Sequence, residues 1–392
     1  MILAMKDRSL LMIPGPVELD PEVVEALAAP ITSHVAPIFM EAFGSALERL
    51  RQVFQCPDGQ PFILAGSGTL AMDAAAANLV ERGDKVLVVN TGYFGDRFTD
   101  IFERYGADVT QVRALPGSRP ALHEVESALK SGQYKILSVT HVDTSTGVLA
   151  DVKGIAALAG KYGVLTIVDG VCSVAGEELR MAEWGVDLAF TASQKAVSTP
   201  PGLALLVAGP RALEVFRKRK TPVGSYYADW TLWMPVMEAY EARKPAYFGT
   251  PAVNLIRALD VSLGQILTEG MEARWNRHIA ISNAVQAGID AMDMNQVPVK
   301  REFAAHTMTA PRFLAGLNGP EFLKKTAQAG VVLAGGLHPA IKAEYFRVGH
   351  MGTTNIAEVL TTIGAIETAL ASCISSYRPG EAVQAALKAY NT

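Results

Sequence analysis

The chain is poor in cysteine: its 392 residues hold three, Cys56, Cys172 and Cys373. Three thiols build no disulfide framework and do not show zinc-ligand spacing, so a reducing compartment is expected and a metal centre is not. Neither charge is in excess, with 35 Lys and Arg against 39 Asp and Glu, a formal net charge of −4. Gripping nucleic acid or an anionic membrane needs a concentrated positive field, so neither partner is expected. A run of ~18 uncharged apolar residues is also missing. The stretch Ala71–Val80 carries Asp73, and Val359–Ile374 carries Glu367. Met1–Arg8 offers no secretory core or cleavage signal, and Asp7 argues against a mitochondrial leader. Tyr390-Asn391-Thr392 is not the usual peroxisomal tripeptide. The cytoplasm is the expected compartment, with mitochondria and peroxisomes as alternatives. There is no internal repeat and no low-complexity tract.

What the chain does have is apolar content: 49% of its residues are hydrophobic, which excludes a disordered chain and supports a sizeable core. Its length suits two or three domains, or a large domain with a smaller partner. Short apolar runs at Pro61–Ala65, Lys85–Asn90, Tyr134–His141, Val164–Asp169, Asp187–Ala192 and Leu203–Ala208 read as strands. Helical patterns at Leu70–Val80, Phe94–Tyr105 and Val152–Tyr162 alternate with them. That alternation predicts an α/β domain whose sheet is parallel and covered on both faces, with ligands at the carboxyl ends of its strands. Two long helical patterns run from about Leu255 to Met292, and the remainder reads as a smaller α+β domain. The connection Arg217–Pro251 holds Tyr226, Tyr227, Trp230, Trp233, Tyr240, Tyr247 and Phe248. It is either a core patch or a subunit interface.

Five clusters combine chemistry with a strand or helix end. Ala65-Gly66-Ser67-Gly68-Thr69 joins a strand to a helix, as a tight turn or as a phosphate cradle built from glycines and a helix N-terminus. It matches neither the dinucleotide fingerprint nor the Walker loop. Asp169 ends a buried strand, where a carboxylate caps a helix, joins a salt bridge or faces a buried cationic nitrogen. Lys195, in Ser193-Gln194-Lys195-Ala196, either snorkels to the surface or is desolvated, with the lowered pKa that favours a Schiff base. His141-Val142-Asp143-Thr144-Ser145-Thr146-Gly147 is a hydrogen-bonded turn or a hydroxyl presented to a ligand. Arg347 lies within an apolar strand and needs either an internal carboxylate or a substrate's. Together the five meet the needs of pyridoxal 5′-phosphate chemistry on amino acids.

In this order, with Ile13-Pro14-Gly15-Pro16-Val17 before them and Pro200-Pro201-Gly202 between, the motifs resemble the class V aminotransferases of the pyridoxal-phosphate fold-type I group. The branch looks like the alanine–glyoxylate and serine–pyruvate aminotransferases, over nearly the whole chain. The resemblance implies a mostly parallel seven-stranded sheet with helices on both faces. It implies an N-terminal arm (1–20) crossing the active-site region, a large cofactor domain (21–265) and a small C-terminal domain (266–392). It implies that Lys195 binds the cofactor covalently and that Asp169 keeps the pyridine nitrogen protonated. Phe94, where many relatives carry Trp, would stack on the ring, with Val171 on the opposite face and Thr144 nearby. Ser67, Gly68, Thr69 and Gln194 would hold the phosphate, completed by Tyr247 and Thr250 of the other subunit. A homodimer with shared active sites is thereby implied. Arg347 would bind the substrate carboxylate, and Gly15 would let the arm cross closely. Asp143, where relatives often carry Glu, and His34 receive no role.

The activity implied is ping-pong transfer of an amino group from a small L-amino acid, alanine or serine, to glyoxylate. Serine–pyruvate, serine–glyoxylate, ureidoglycine–glyoxylate and hydroxykynurenine transamination are the neighbouring alternatives. No second arginine for a dicarboxylate side chain is evident, which favours small donors. A class V cysteine desulfurase needs a mobile nucleophilic cysteine, and none of the three lies in an evident flexible loop. A non-catalytic nucleotide-binding protein would leave Lys195 unexplained.

Overall fold

A computed structural model describes residues 9–391; the leader reading of Met1–Arg8 and the final Thr392 lie outside them. Seven strands form the main sheet: β1 (Gln60–Ala65), β2 (Lys85–Asn90), β3 (Asp108–Arg113), β4 (Ile136–Thr140), β5 (Leu165–Asp169), β6 (Leu188–Ala192) and β7 (Leu203–Ala208). Their order is β1-β7-β6-β5-β4-β2-β3, and β7 alone runs against its neighbours. Strands β4 to β7 are buried along their whole length, as their near-continuous apolar runs require when helices cover both faces. Edge strand β3 differs. Its Asp108, Thr110, Gln111 and Arg113 leave hydrophobic patterning with nothing to detect, and only its ladder with β2 defines it.

Three helices frame the strand ends that matter: α1 (Gly68–Leu79) after β1, α2 (Tyr93–Arg104) after β2, and α3 (Val253–Glu269), whose Ser262 hydroxyl donates to the Val197 carbonyl just past Lys195. Helix α4 (Met271–Asp290) joins two hydrophobic cores. Its Met271 and Trp275 pack into the core under the main sheet, and its Ile281, Val285 and Ile289 into a second. That second core is closed by a three-stranded antiparallel sheet of β8 (Met308–Thr309), β9 (Ala334–Gly335) and β10 (Phe346–Gly349), in the order β8-β10-β9. It also receives α5 (Ile356–Cys373), which among the described residues is the one helix long and apolar enough to cross a membrane. In the fold α5 buries Val359, Ile363, Ile366 and Leu370 in this core. Its Glu367 is buried too and accepts bonds from the Gly380 and Ala382 nitrogens at 2.8 and 3.1 Å.

The segment after residue 8 stitches the smaller core to the sheet. Leu10–Leu11 pairs in parallel with Val331–Val332, Met12 lies in the smaller core, and the Gly349 nitrogen donates to the Met12 carbonyl. The aromatic-rich connection is part core and part surface. Trp230, Trp233 and Tyr240 are buried, with Trp230 stacked on Phe62 at 4.9 Å, whereas Tyr226 is 79% and Tyr247 66% exposed.

Candidate active site

The chain turns at the carboxyl end of β1 so that α1 begins at Gly68, with extended Ser67 as its N-cap. The Ser67 hydroxyl caps no backbone nitrogen, so the N–H groups of the first turn of α1 have no cap from that side chain. A Cβ on Gly68 would stand 2.8 Å from Val171 Cγ2, so the loop packs against the β5 end only because residue 68 is glycine. Ser67 and Thr69 are exposed beside it.

Helix α2 begins with no side chain of its own to cap it, since its N-cap is Gly92. The cap comes from the turn after β4. The Phe94 nitrogen donates to Asp143 Oδ2 at 3.1 Å and the Tyr93 nitrogen to Ser145 Oγ at 3.0 Å. Asp143 Oδ1 in turn accepts from the Ser145 nitrogen (2.9 Å) and hydroxyl (2.5 Å). A Cβ on Gly92 would fall 2.6 Å from Ser145 Oγ. Burial pushes the Asp143 carboxyl up, and these donors oppose the rise. Asp143, without a role in the sequence reading, is thus the group that aims Phe94.

Asp169 closes β5, its residue pairs being Thr140 on β4 and Phe190 on β6. It is buried, and among the described residues its one donor is the Val171 nitrogen at 3.0 Å. Burial pushes it up to about 7; the Asp143 charge adds to this, and the Val171 bond and the charges of Lys195 and Arg97 oppose it. A carboxylate so placed is a receptor for a cation.

Lys195 sits in the turn between β6 and β7. That turn is pinned by the Ser193 hydroxyl donating to the Pro200 carbonyl at 2.7 Å and by buried Arg274 donating to the Ala196 carbonyl at 2.7 Å. The Lys195 amine donates to the Pro14 carbonyl of the N-terminal segment. Desolvation pulls its pKa down; the neighbouring Cys172 and Asp169 oppose the fall and Arg347 reinforces it. Gly15, at φ +89°, leaves room for this side chain: a Cβ there would stand 2.6 Å from Lys195 Cδ and 2.9 Å from the Gln194 carbonyl. Gln194 Oε1 is buried without a partner.

Arg347, on β10, donates to two backbone carbonyls, Gly335 at 2.8 Å and Thr144 at 3.2 Å. Among the described residues it has no carboxylate partner, which removes the internal ion-pair reading. Gly68 packs on Val171, Val171 bonds to Asp169, the charges of Asp169 and Arg347 both act on Lys195, and Arg347 reaches Thr144, so these six residues form one neighbourhood. Tyr247 and Thr250 do not join it within one chain. Both are exposed, and the ring next to Tyr247 is that of His34 at 5.5 Å. The sequence reading missed Arg97, whose guanidinium donates to Thr69 Oγ1 at 3.1 Å, and Tyr227, whose hydroxyl donates to the Ala65 carbonyl at 3.3 Å. Spacing alone had no signal for either, because both contacts cross between elements. Of the cysteines, Cys56 and Cys172 are buried and Cys373 is half-buried.

Comparison with known proteins matches residues 24–362 to the model of the family described as aminotransferase class-V. The chain is 40% identical over 364 residues to alanine–glyoxylate aminotransferase 1 of Saccharomyces cerevisiae, covering 89% of this chain and 93% of the relative. It is 31% identical to L-aspartate–glyoxylate aminotransferase of Paracoccus denitrificans, covering 98% and 97%. Among solved structures it superimposes on ureidoglycine–glyoxylate aminotransferase from Bacillus subtilis with a TM-score of 0.91 and 29% identity, covering 98% of each chain.

Proposed function

Since this chain belongs to the class-V aminotransferases and is therefore a pyridoxal-phosphate-dependent transaminase, we propose that it transfers the amino group of a small L-amino acid to glyoxylate, with glycine as product. The residues fit the cofactor. Buried Asp169 lacks a protein cation in hydrogen-bond contact and suits a protonated pyridine nitrogen. The N-terminus of α1, without a side-chain cap and with Ser67, Gly68 and Thr69 beside it, suits a phosphate. Phe94 and Val171 would flank the ring on its two faces.

Bound there, pyridoxal phosphate supplies an electrophilic carbon and an electron-accepting ring. Lys195 would hold the cofactor covalently through its amine. Desolvation favours the neutral amine, so Lys195 would also be the base that takes the proton from the donor's Cα. Asp169 would hold positive charge at the ring nitrogen, which stabilises negative charge at Cα. Arg347 grips the α-carboxylate and orients the Cα–H bond toward Lys195.

The observation that carries the amino-acid reading is Arg347: a guanidinium bonded, among the described residues, only to backbone carbonyls and within electrostatic reach of the Lys195 amine. The 40% identity to the yeast enzyme supports alanine as donor. Exposed Tyr247 and Thr250, beside exposed Tyr226, support a homodimer in which they complete the partner's phosphate site. The arm (1–20), large domain (21–265) and small domain (266–392) would meet at this site.

The test is a single-turnover titration of the purified, cofactor-loaded protein, following its visible absorbance. Alanine should bleach the band and glyoxylate restore it. Bleaching by serine, aspartate or a ureido amino acid but not by alanine would retain the transaminase and overturn the donor.

A further inference from the structure

We propose that Arg97 is a positioning residue for the cofactor, joining the phosphate cradle to the stacking ring through one guanidinium. Arg97 lies one turn into α2, past Tyr93 and Phe94. Its Cζ stands 4.9 Å from the centroid of the Phe94 ring and 5.1 Å from that of Tyr93. Its Nη1 donates to Thr69 Oγ1 at 3.1 Å and its Nη2 to the Tyr93 hydroxyl at 3.4 Å. The neighbouring carboxylate, Asp96, is engaged by Arg113 and by Asn90, and among the described residues Arg97 has no carboxylate partner.

An arginine with no anion, bonded to a hydroxyl on the first turn of α1, adds full positive charge to a helix N-terminus already suited to phosphate. The same guanidinium lies over Phe94, where cation–π attraction fixes the ring. Two parts of the site on different helices are thus held in one geometry. The charge of Arg97 also reaches Asp169. Phosphate, ring face and ring nitrogen are then all referenced to one side chain. Lysine cannot replace it, because a point charge lacks the planar fork and the stacking face.

This inference rests on the reading of Thr69 and Phe94 as phosphate and ring contacts. The experiment therefore includes variants of those two residues. Apoprotein of the wild type, Arg97→Gln, Arg97→Lys, Thr69→Val and Phe94→Ala is titrated with pyridoxal phosphate, and the dissociation constant and visible circular dichroism are recorded at low and high salt. Arg97→Gln should weaken binding by about tenfold or more, flatten the salt dependence and reduce the dichroic band. Arg97→Lys should recover the salt dependence but not the dichroism. The melting temperature of the Arg97→Gln apoprotein should stay near wild type, which a merely structural role would not allow. Affinity within about twofold of wild type together with an unchanged band in Arg97→Gln overturns the proposal. If Thr69→Val and Phe94→Ala are also silent, the site reading itself fails; if they are not, only the role of Arg97 does.

Discussion

Asp143 accepts the backbone N–H of Phe94 across 49 residues of sequence, so the ring at the start of one helix is aimed by a carboxylate in the turn after another strand. Two demands are met at once. The helix gains the cap that Gly92 cannot provide, and Gly92 leaves the space in which that cap sits. Asp143→Ala should cost roughly 1–2 kcal/mol of stability in urea unfolding, the range for a lost N-cap, and weaken cofactor binding as Phe94 drifts. Asp143→Asn should keep most of the stability, because the amide oxygen still accepts. If Asp143→Ala unfolds and binds cofactor like wild type, the carboxylate does not aim the ring.

Gly15→Ala tests the crossing of the N-terminal segment. The added methyl meets the Lys195 side chain at 2.6 Å, and φ of +89° strains any residue but glycine. The expected outcome is a fall in kcat of about a hundredfold from a displaced amine, with a stability loss of only about 1 kcal/mol. Equal activity of the variant would show that Lys195 has room to move aside.

The pH behaviour of Asp169 has a definite sign. Its carboxyl is raised from ~4 in the unfolded chain to about 7 in the fold. Its contribution to apoprotein stability is therefore full below pH ~4 and is lost as pH rises through 7. Asp169→Asn removes this dependence. Apoprotein of the variant should gain on wild type by roughly 2–4 kcal/mol between pH 5 and pH 8, read by chemical unfolding. With cofactor bound the order should reverse, and turnover of the variant should fall by at least about a hundredfold. A stability gap that ignores pH, or nearly full turnover, would remove Asp169 from its role.

His306 and Glu177 give a second pH signature. Glu177 is buried and accepts from the His306 nitrogen at 2.5 Å and from its Nδ1 at 2.7 Å. Burial pulls His306 down, but the charge and hydrogen bond of Glu177 outweigh it and leave the imidazole above its usual value. Nearby His141 and His350 are pushed down to about 4 by burial, so they stay neutral in the same window. The stability from the pair is thus full below ~6.5 and is lost as pH rises through the raised value. His306→Asn, which keeps a donor without charge, should be roughly 1–3 kcal/mol less stable than wild type at pH 6. The difference should shrink by pH 9. A constant difference across that range would mean that His306 is neutral throughout.

The amino-acid sequence by itself determined the strand series from Pro61 to Ala208, the helices between, and the order of the cradle, Asp169, Lys195 and Arg347. Those features are local. An apolar run, a glycine turn or a lysine after a buried strand is written in adjacent residues, and the carboxyl ends of parallel strands must gather such turns on one side. Polar β3 escaped that reading because edge strands need no apolar face. Only the tertiary structure decided that Arg347 has no carboxylate partner among the described residues and that Tyr240 is buried while Tyr247 is exposed. It also joined Lys195 to Pro14 across 181 residues and Glu177 to His306 across 129. Such contacts depend on how the chain closes on itself. A charged or polar side chain carries no periodic signal of its partner, and the partner is fixed only when burial makes an unpaired group too costly to leave.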